Sequence, residues 1–232
     1  MQLELTIDGK HYTDGQREYT RCTTFVNRFF DKFDAEAEAK RLSGGHNKYG
    51  MLSPEEILAE WDKKKVNACN RGNAIHKIYE QVIKGEVPDV SMDISLTTHR
   101  AVVSDAEALR DSITAKGWQA FPELKVCSKE LLIAGTCDLP LFKDNSIAIM
   151  DFKSYEKDPG TEPHYNKFCK YPFNKLPQTK LSKTAIQLNL YAFMLGRQCT
   201  ISKLVLRHID HNNRITDHVC PNLQSEIQLL LS

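Results

Sequence analysis

No two of the seven cysteines (Cys22, Cys69, Cys127, Cys137, Cys169, Cys199 and Cys220) are spaced as C-x-x-C, and an odd number cannot pair off completely. This argues against a disulfide framework, a zinc ribbon and an iron–sulfur cluster, and makes reduced thiols in a reducing compartment the simple reading. No apolar run approaches the length that crosses a bilayer, so no membrane partner is expected. The first residues have neither the basic start nor the apolar centre of a signal peptide. The expected setting is therefore cytoplasmic, with bacterial, phage or viral surroundings all open. Charge of one sign is also scarce. Across 232 residues the formal net charge is +1, which excludes a globally basic nucleic-acid binder but leaves room for a local basic channel. There is no internal repeat and no low-complexity tract.

The composition that remains, 41% hydrophobic and 26% charged, is that of an ordinary globular protein. One domain over 1–232 is expected, with an N-terminal hairpin and helical part (1–117) and an α/β core (118–232). "MQLELTIDGKHYTDG" alternates apolar and polar residues up to Asp8–Gly9, the pattern of a strand entering a turn. Phe25, Phe29, Phe33 and Ala37 fall at helical spacing and predict one helix over 24–42. Ser53, Pro54 and Glu56 form the start signal of a long helix, or of two abutting ones interrupted near Gly72, closed by Gly85. A further helix is expected at about 96–116. "WQAFPELKVCS", "ELLIAGTCDLPLF" and "SIAIMDFK" read as strands, "SKTAIQLNLYAFMLG" as a capped helix, "TISKLVLRHID" as a strand and "NLQSEIQLLLS" as a short last helix. Residues 154–182, polar and aperiodic, read as a long loop, a length that is usually functional or disordered.

The strand "SIAIMDFK" is apolar until it ends on Asp151 and Lys153. An isolated D-x-K is ordinarily a strand surfacing. Here, however, alternation puts Asp151 and Lys153 on one face and Phe152 on the other. Asp138, at the tip of the preceding strand and thirteen residues before Asp151, can come beside it across an antiparallel turn. Two close carboxylates repel unless a cation lies between them or one takes a proton. Together with the Phe152 carbonyl they offer hard oxygen ligands suited to Mg²⁺ or Mn²⁺. Lys153 is placed to orient water or to stabilise charge on a phosphate. His76 and Glu80 share a helix face, as do Gln187 and Tyr191. Alone, each pair is as well explained by a satisfied histidine or by the polar edge of an amphipathic helix.

Between His164 and Thr184, Lys167, Lys170, Lys175, Lys180 and Lys183 follow one another without an acid, interleaved with Tyr165, Phe168, Tyr171 and Phe173. Bases alternating with rings suit single-stranded nucleic acid, which needs both phosphate neutralisation and stacking. "DKKKVNACNR" is a second, weaker basic stretch.

The order H … E … G-x-x-D … D-x-K … Q-x-x-x-Y, from about Thr23 to Ile209, resembles the PD-(D/E)xK nuclease superfamily. Within it the similarity is to the RecB-like branch, which includes phage-type exonucleases and the mitochondrial single-strand DNA exonuclease. The resemblance implies a restriction-endonuclease-like core, a central mixed sheet flanked by helices. It also implies metal-dependent phosphodiester hydrolysis, in repair or recombination, on single-stranded or free-ended DNA. Carried over by position, His76, Asp138, Asp151 and the Phe152 carbonyl would hold Mg²⁺ or Mn²⁺, and Lys153 would be the catalytic lysine. Gln187 and Tyr191 would lie on the substrate side. The acid of the first strand would be Glu123, with Glu130 as competitor. Cys137 stands where the superfamily has its naming proline, and the cysteine cluster of the iron–sulfur members is missing. Cleavage polarity, exonuclease against endonuclease or RNase action, and a helicase or recombinase partner are left open. So is a catalytically silent binding module.

Overall fold

The structure is a computed structural model of the chain, and the residues described are 4–5, 11–161, 167–196 and 199–231. Strands β1 (Glu4–Leu5), β2 (His11–Thr13) and β3 (Glu18–Arg21) run antiparallel in succession. The expected Asp8–Gly9 turn lies outside the described residues. β3 runs directly into helix α1 (Cys22–Val26) and a 3-10 turn (Asn27–Phe29). Phe30 is then extended, and helix α2 begins afresh at Ala35–Leu42, with Asp34 as its N-cap, accepting from the Ala37 amide. The single helix expected over 24–42 is thus two. Its phenylalanines do not share a partner: Phe25 and Phe29 enter the core, whereas Phe33 turns out against Trp61.

Helix α3 (Pro54–Ile83) is one uninterrupted element of 30 residues. Ser53 and Glu56 exchange hydrogen bonds as a capping box, with Pro54 in the first turn. Gly72 does not break it; beyond its chain neighbours and its own helix backbone, no atom lies within 4 Å of where its Cβ would stand. Helix α4 (Leu96–Ala115) follows, and both α3 and α4 end on a left-handed glycine, Gly85 and Gly117.

The remaining strands are β4 (Gln119–Ala120), β5 (Leu124–Ser128), β6 (Ile133–Cys137), β7 (Leu139–Lys143) and β8 (Ser146–Lys153). Helix α5 (Lys180–Leu195), β9 (Thr200–Ile209), β10 (Ile215–Val219) and α6 (Gln224–Gln228) complete the chain. The architecture is mixed α/β, but with two mixed sheets instead of one central sheet: β1-β2-β3-β6-β5 and β10-β9-β8-β7-β4. The expected strand "ELLIAGTCDLPLF" divides at Asp138, β6 going to the first sheet and β7 to the second. β10 has no clear signal in the sequence because, as a sheet edge, it carries no buried residue.

β8 is the central strand of its sheet, antiparallel to β7 and parallel to β9. Ile147 and Ile149 face the core shared with α1 and α5, while Met150 and Phe152 face α3 and α4. The segment expected as a loop over 154–182 is not uniformly open. Phe173 is buried against the Phe29 ring, centroids 4.8 Å apart, and the Lys170 amide donates to the Phe29 carbonyl. Phe168 and Pro177 form a β-bridge, and Thr179 caps α5 ahead of the expected start. Tyr165 lies outside the described residues. Phe173 therefore leaves the set of rings available to a ligand, while Phe168 and Tyr171 remain exposed.

Phe173→Ala is expected to lower unfolding free energy by about 3–5 kcal/mol, the cost of a buried phenyl. Tyr171→Ala is expected to stay within about 0.5 kcal/mol. Urea denaturation of the two variants measures both, and equal midpoints would remove Phe173 from the core.

Candidate metal centre at the junction of the sheets

Asp138 occupies the one-residue link between β6 and β7, so its backbone belongs to neither ladder. Its carbonyl instead accepts from the Glu123 amide (2.9 Å), and its Oδ2 accepts from the Phe152 amide (3.0 Å). These two bonds bring the turn before β5 and the end of β8 onto one residue. Glu123 is held there with φ 56°, a left-handed backbone that costs a non-glycine residue about 1–2 kcal/mol. Non-glycine residues in such regions concentrate at functional sites.

From the opposite layer, α3 contributes His76. Its Nε2 lies 2.6 Å from the Phe152 carbonyl, which can only accept, so Nε2 carries the hydrogen. In the neutral ring Nδ1 is then a lone pair, and it lies 3.3 Å from Asp138 Oδ2 and 4.0 Å from Glu123 Oε1. Among the described residues, His76, Glu123 and Asp138 form a group whose ligand atoms all lie within 4.8 Å of one another. A lone pair facing two carboxylates repels them, and a divalent cation turns that repulsion into attraction. The donor set, one imidazole and two carboxylates, fits Mg²⁺ or Mn²⁺, and the carbonyl on the far nitrogen is the usual outer partner of a ligating histidine.

Asp151 stands behind this group. It is fully buried, with Lys153 Nζ 2.6 Å from Oδ2 and Gln187 Nε2 3.4 Å from Oδ1. The Lys153 contact has the distance of an ion pair, and among the described residues Oδ2 has no further hydrogen-bond partner. Burial pushes the Asp151 carboxyl up, Lys153 pulls it back and Asp138 adds to the rise. For Lys153, burial works against the charge, but Asp151 and Asp138 outweigh it and hold the ammonium well above its ordinary value. Glu123 is pushed up to about 7, first by burial and then by Asp138 and Glu80.

The expected residues are thus distributed as follows. His76, Asp138 and Glu123 converge, and Glu123 enters the group while Glu130 lies exposed beyond β5. Asp151 and Lys153 share a face as alternation requires, but Asp151 is not one of the converging three. The Phe152 carbonyl is already engaged by His76 and by Lys153 Nζ at 3.2 Å. Gln187 and Tyr191 are joined (3.2 Å) and buried, so as placed they reach Asp151 and not an open surface. Tyr191 packs so closely on Gly135 that a Cβ there would lie 2.8 Å from the phenol oxygen, the physical reason for the glycine of G-x-x-D. Lys167, Lys170, Lys175, Phe168 and Tyr171 are all exposed. Arg71 entered the sequence reading only as the end of the weaker basic stretch "DKKKVNACNR". It fastens α3 to the site by donating to Ser154 Oγ (2.6 Å) and to the Asp210 carbonyl (2.8 Å).

No family model and no curated protein matches the chain. Among solved structures it aligns with one described as "Crystal structure of SSO0001", at 17% identity and a TM-score of 0.30, over 56% of this chain and 56% of that one. The chain therefore spans about half the length of that protein, and so slight a likeness carries no argument. No helix among the described residues is long and apolar enough to cross a membrane.

Metal ligands must be deprotonated, so Mn²⁺ affinity is expected to rise about tenfold from pH 6 to pH 8 as Glu123 loses its proton. Without metal the sign reverses. Folded Glu123 keeps its proton to about 7 and an unfolded one to about 4.5, so its contribution to stability is full below 4.5 and is lost as pH rises to 7. Calorimetric Mn²⁺ titrations at the two pH values test this, with Glu123→Gln expected to bind more weakly and without the pH dependence. Equal affinity at both pH values in the unaltered protein would remove Glu123 from the site.

Proposed function

We propose that the chain is a divalent-metal-dependent deoxyribonuclease of the PD-(D/E)xK superfamily. In this reading its core is restriction-endonuclease-like and it acts as an exonuclease or end-processing nuclease on single-stranded or free-ended DNA. The observation that carries the reading is the convergence of His76, Glu123 and Asp138 beside the buried Asp151–Lys153 pair, at the break between two sheets. A purely structural site has little reason to gather three carboxylates around one lysine, since each added acid raises the cost of the others.

A bound Mg²⁺ or Mn²⁺ supplies Lewis acidity toward a phosphoryl oxygen and makes a bound water more acidic. The residues of the chain then have separable tasks. His76, Glu123 and Asp138 bind the ion, and the Phe152 carbonyl fixes the imidazole with Nδ1 toward it. Lys153, whose side chain is partly exposed while its ammonium pairs with Asp151, would offset charge building on a phosphodiester bound at the ion. Gln187, whose amide also donates to the Tyr191 hydroxyl, holds the Asp151 carboxylate from behind.

With Mg²⁺, linear single-stranded DNA is expected to be degraded and circular DNA spared, and EDTA stops the reaction. Lys153→Ala is expected to lower turnover by about two or more orders of magnitude, the usual consequence of losing a preorganised charge, with metal binding retained. Circular DNA cut as fast as linear would identify an endonuclease. DNA bound but not cut with either metal would identify a silent binding module.

A further inference from the structure

A groove of about 950 Å³ runs between the α1–3-10 turn and the first turns of α5. It is lined by five bases, Arg28, Lys32, Lys167, Lys180 and Lys183, and by one acid, Asp31. Asp31 is committed within the wall, with Oδ2 3.3 Å from Lys167 and its amide on Gln178 Oε1. Among the described residues no acid lies in ion-pair range of Arg28, Lys32 or Lys183. Burial pulls the Lys183 ammonium below its ordinary value, a cost that an anionic neighbour offsets. Phe33, 72% exposed, stands on the same wall with its ring supported by Trp61 at 5.9 Å. A large exposed ring propped from behind beside a row of bases has the two components of a stacking platform for a backbone-tracking groove.

One wall of the groove is the start of α5, the helix whose Gln187 touches Asp151 beside the candidate metal centre. Lys180, Lys183 and Gln187 follow one another at i, i+3 and i+7, so they occupy one stripe of α5. Gln187, the buried end of that stripe, touches Asp151 and lies about 10 Å along the helix from Lys180, so α5 fixes the distance between the basic wall and the centre. Lys180 also lies over the Tyr155 ring (4.6 Å), two residues beyond Lys153 on the chain leaving β8.

We infer that this groove carries a single strand of DNA to the metal centre, with Arg28, Lys32, Lys180 and Lys183 on its phosphates and Phe33 stacked on a base. A duplex keeps its bases stacked on one another and offers Phe33 none, so the groove selects single strands. The inference rests on the nuclease reading for the destination of the strand. The groove itself is tested without cleavage.

Binding of a labelled oligothymidylate of about a dozen nucleotides, within the usual range of such sites, is followed by fluorescence anisotropy in EDTA across a salt series. Arg28→Gln/Lys183→Gln is expected to weaken binding about tenfold or more and to flatten the salt slope by about 1.4, roughly 0.7 for each phosphate that is no longer neutralised. Arg100→Gln/Lys116→Gln removes the same charge from α4, across the second sheet from α5, and is expected to leave the slope unchanged. Phe33→Ala is expected to weaken binding at an unaltered slope. Thermal melting checks each fold, and if Lys183→Gln does not fold, the exposed pair Arg28→Gln/Lys32→Gln takes its place. Failure of the unaltered protein to bind, or equal losses in the groove and α4 variants, would overturn the groove. Groove-dependent binding with no cleavage under Mg²⁺ or Mn²⁺ would overturn the nuclease reading alone. Lys153-dependent cleavage that is indifferent to the groove variants would overturn the groove alone.

Discussion

Asp138 links the end of one sheet to the start of the other and receives the Phe152 amide on its carboxylate, so three strands meet on a single residue. Without that carboxylate the partly buried Phe152 N–H would lose its partner, at a cost of about 1–3 kcal/mol. The same negative charge raises the proton affinity of Glu123 and Asp151 and adds to the burial that suppresses ionisation of Cys137. The fold therefore needs an acid at the position where further acids are least welcome. Lys153 is the one ammonium in ion-pair contact with this group among the described residues, and its contact is with Asp151 alone. The remaining charge is lessened where Glu123, pushed up to about 7, keeps its proton, or is balanced by an added cation.

Position at the centre comes from the alternation of β8. Asp151 and Lys153 face α5, while Phe152 faces α3 and stacks on Tyr79 at 3.9 Å with the rings nearly parallel. The Tyr79 hydroxyl donates to Asp105 of α4 (2.5 Å), and Asp105 also accepts from Arg207 of β9, which pairs with Asp217 of β10. One chain of contacts thus runs from the edge of the second sheet to α3. His76 lies one turn before Tyr79 on the same helix face, so the network that fixes Tyr79 also fixes the imidazole. Partly buried ion pairs of this kind are poor sources of net stability but constrain geometry.

Local signals carried much of this into the sequence. Ser53, Pro54 and Glu56 act over one turn, Gly85 and Gly117 over one residue, and the shared face of Asp151 and Lys153 follows from strand alternation. What was not legible is decided by partners far along the chain. The break after Phe29 depends on Phe173, more than a hundred residues away, which takes Phe29 into the core and leaves Phe33 to Trp61. The division at Asp138 depends on which sheet each half joins, and periodicity is blind to that choice. The resemblance favoured Glu123 but the strand register could not exclude Glu130, because what separates them is a left-handed turn hydrogen-bonded to Asp138.

Helix α3 illustrates how position can be maintained over a span with no core. Residues 62–70 are all exposed, so packing holds this helix only at its ends: Ile57 near the start, and Ile75, Ile78, Tyr79 and Val82 near the finish. Between them, helicity rests on the capping box, on good helix formers such as Lys63, Lys64 and Lys65, and on the Glu60–Lys64 pair. Gly72 costs about 1 kcal/mol against alanine at such a place, yet the helix continues because Arg71 is clamped to Ser154 and Asp210 immediately before it. The clamp transfers responsibility for His76 to the C-terminal half alone. The exposed half is then free to carry Trp61 and, through it, the Phe33 wall of the groove. Two surfaces joined by one helix can in this way be set by different parts of the core, the metal centre by the second sheet and the groove by α1 and α5.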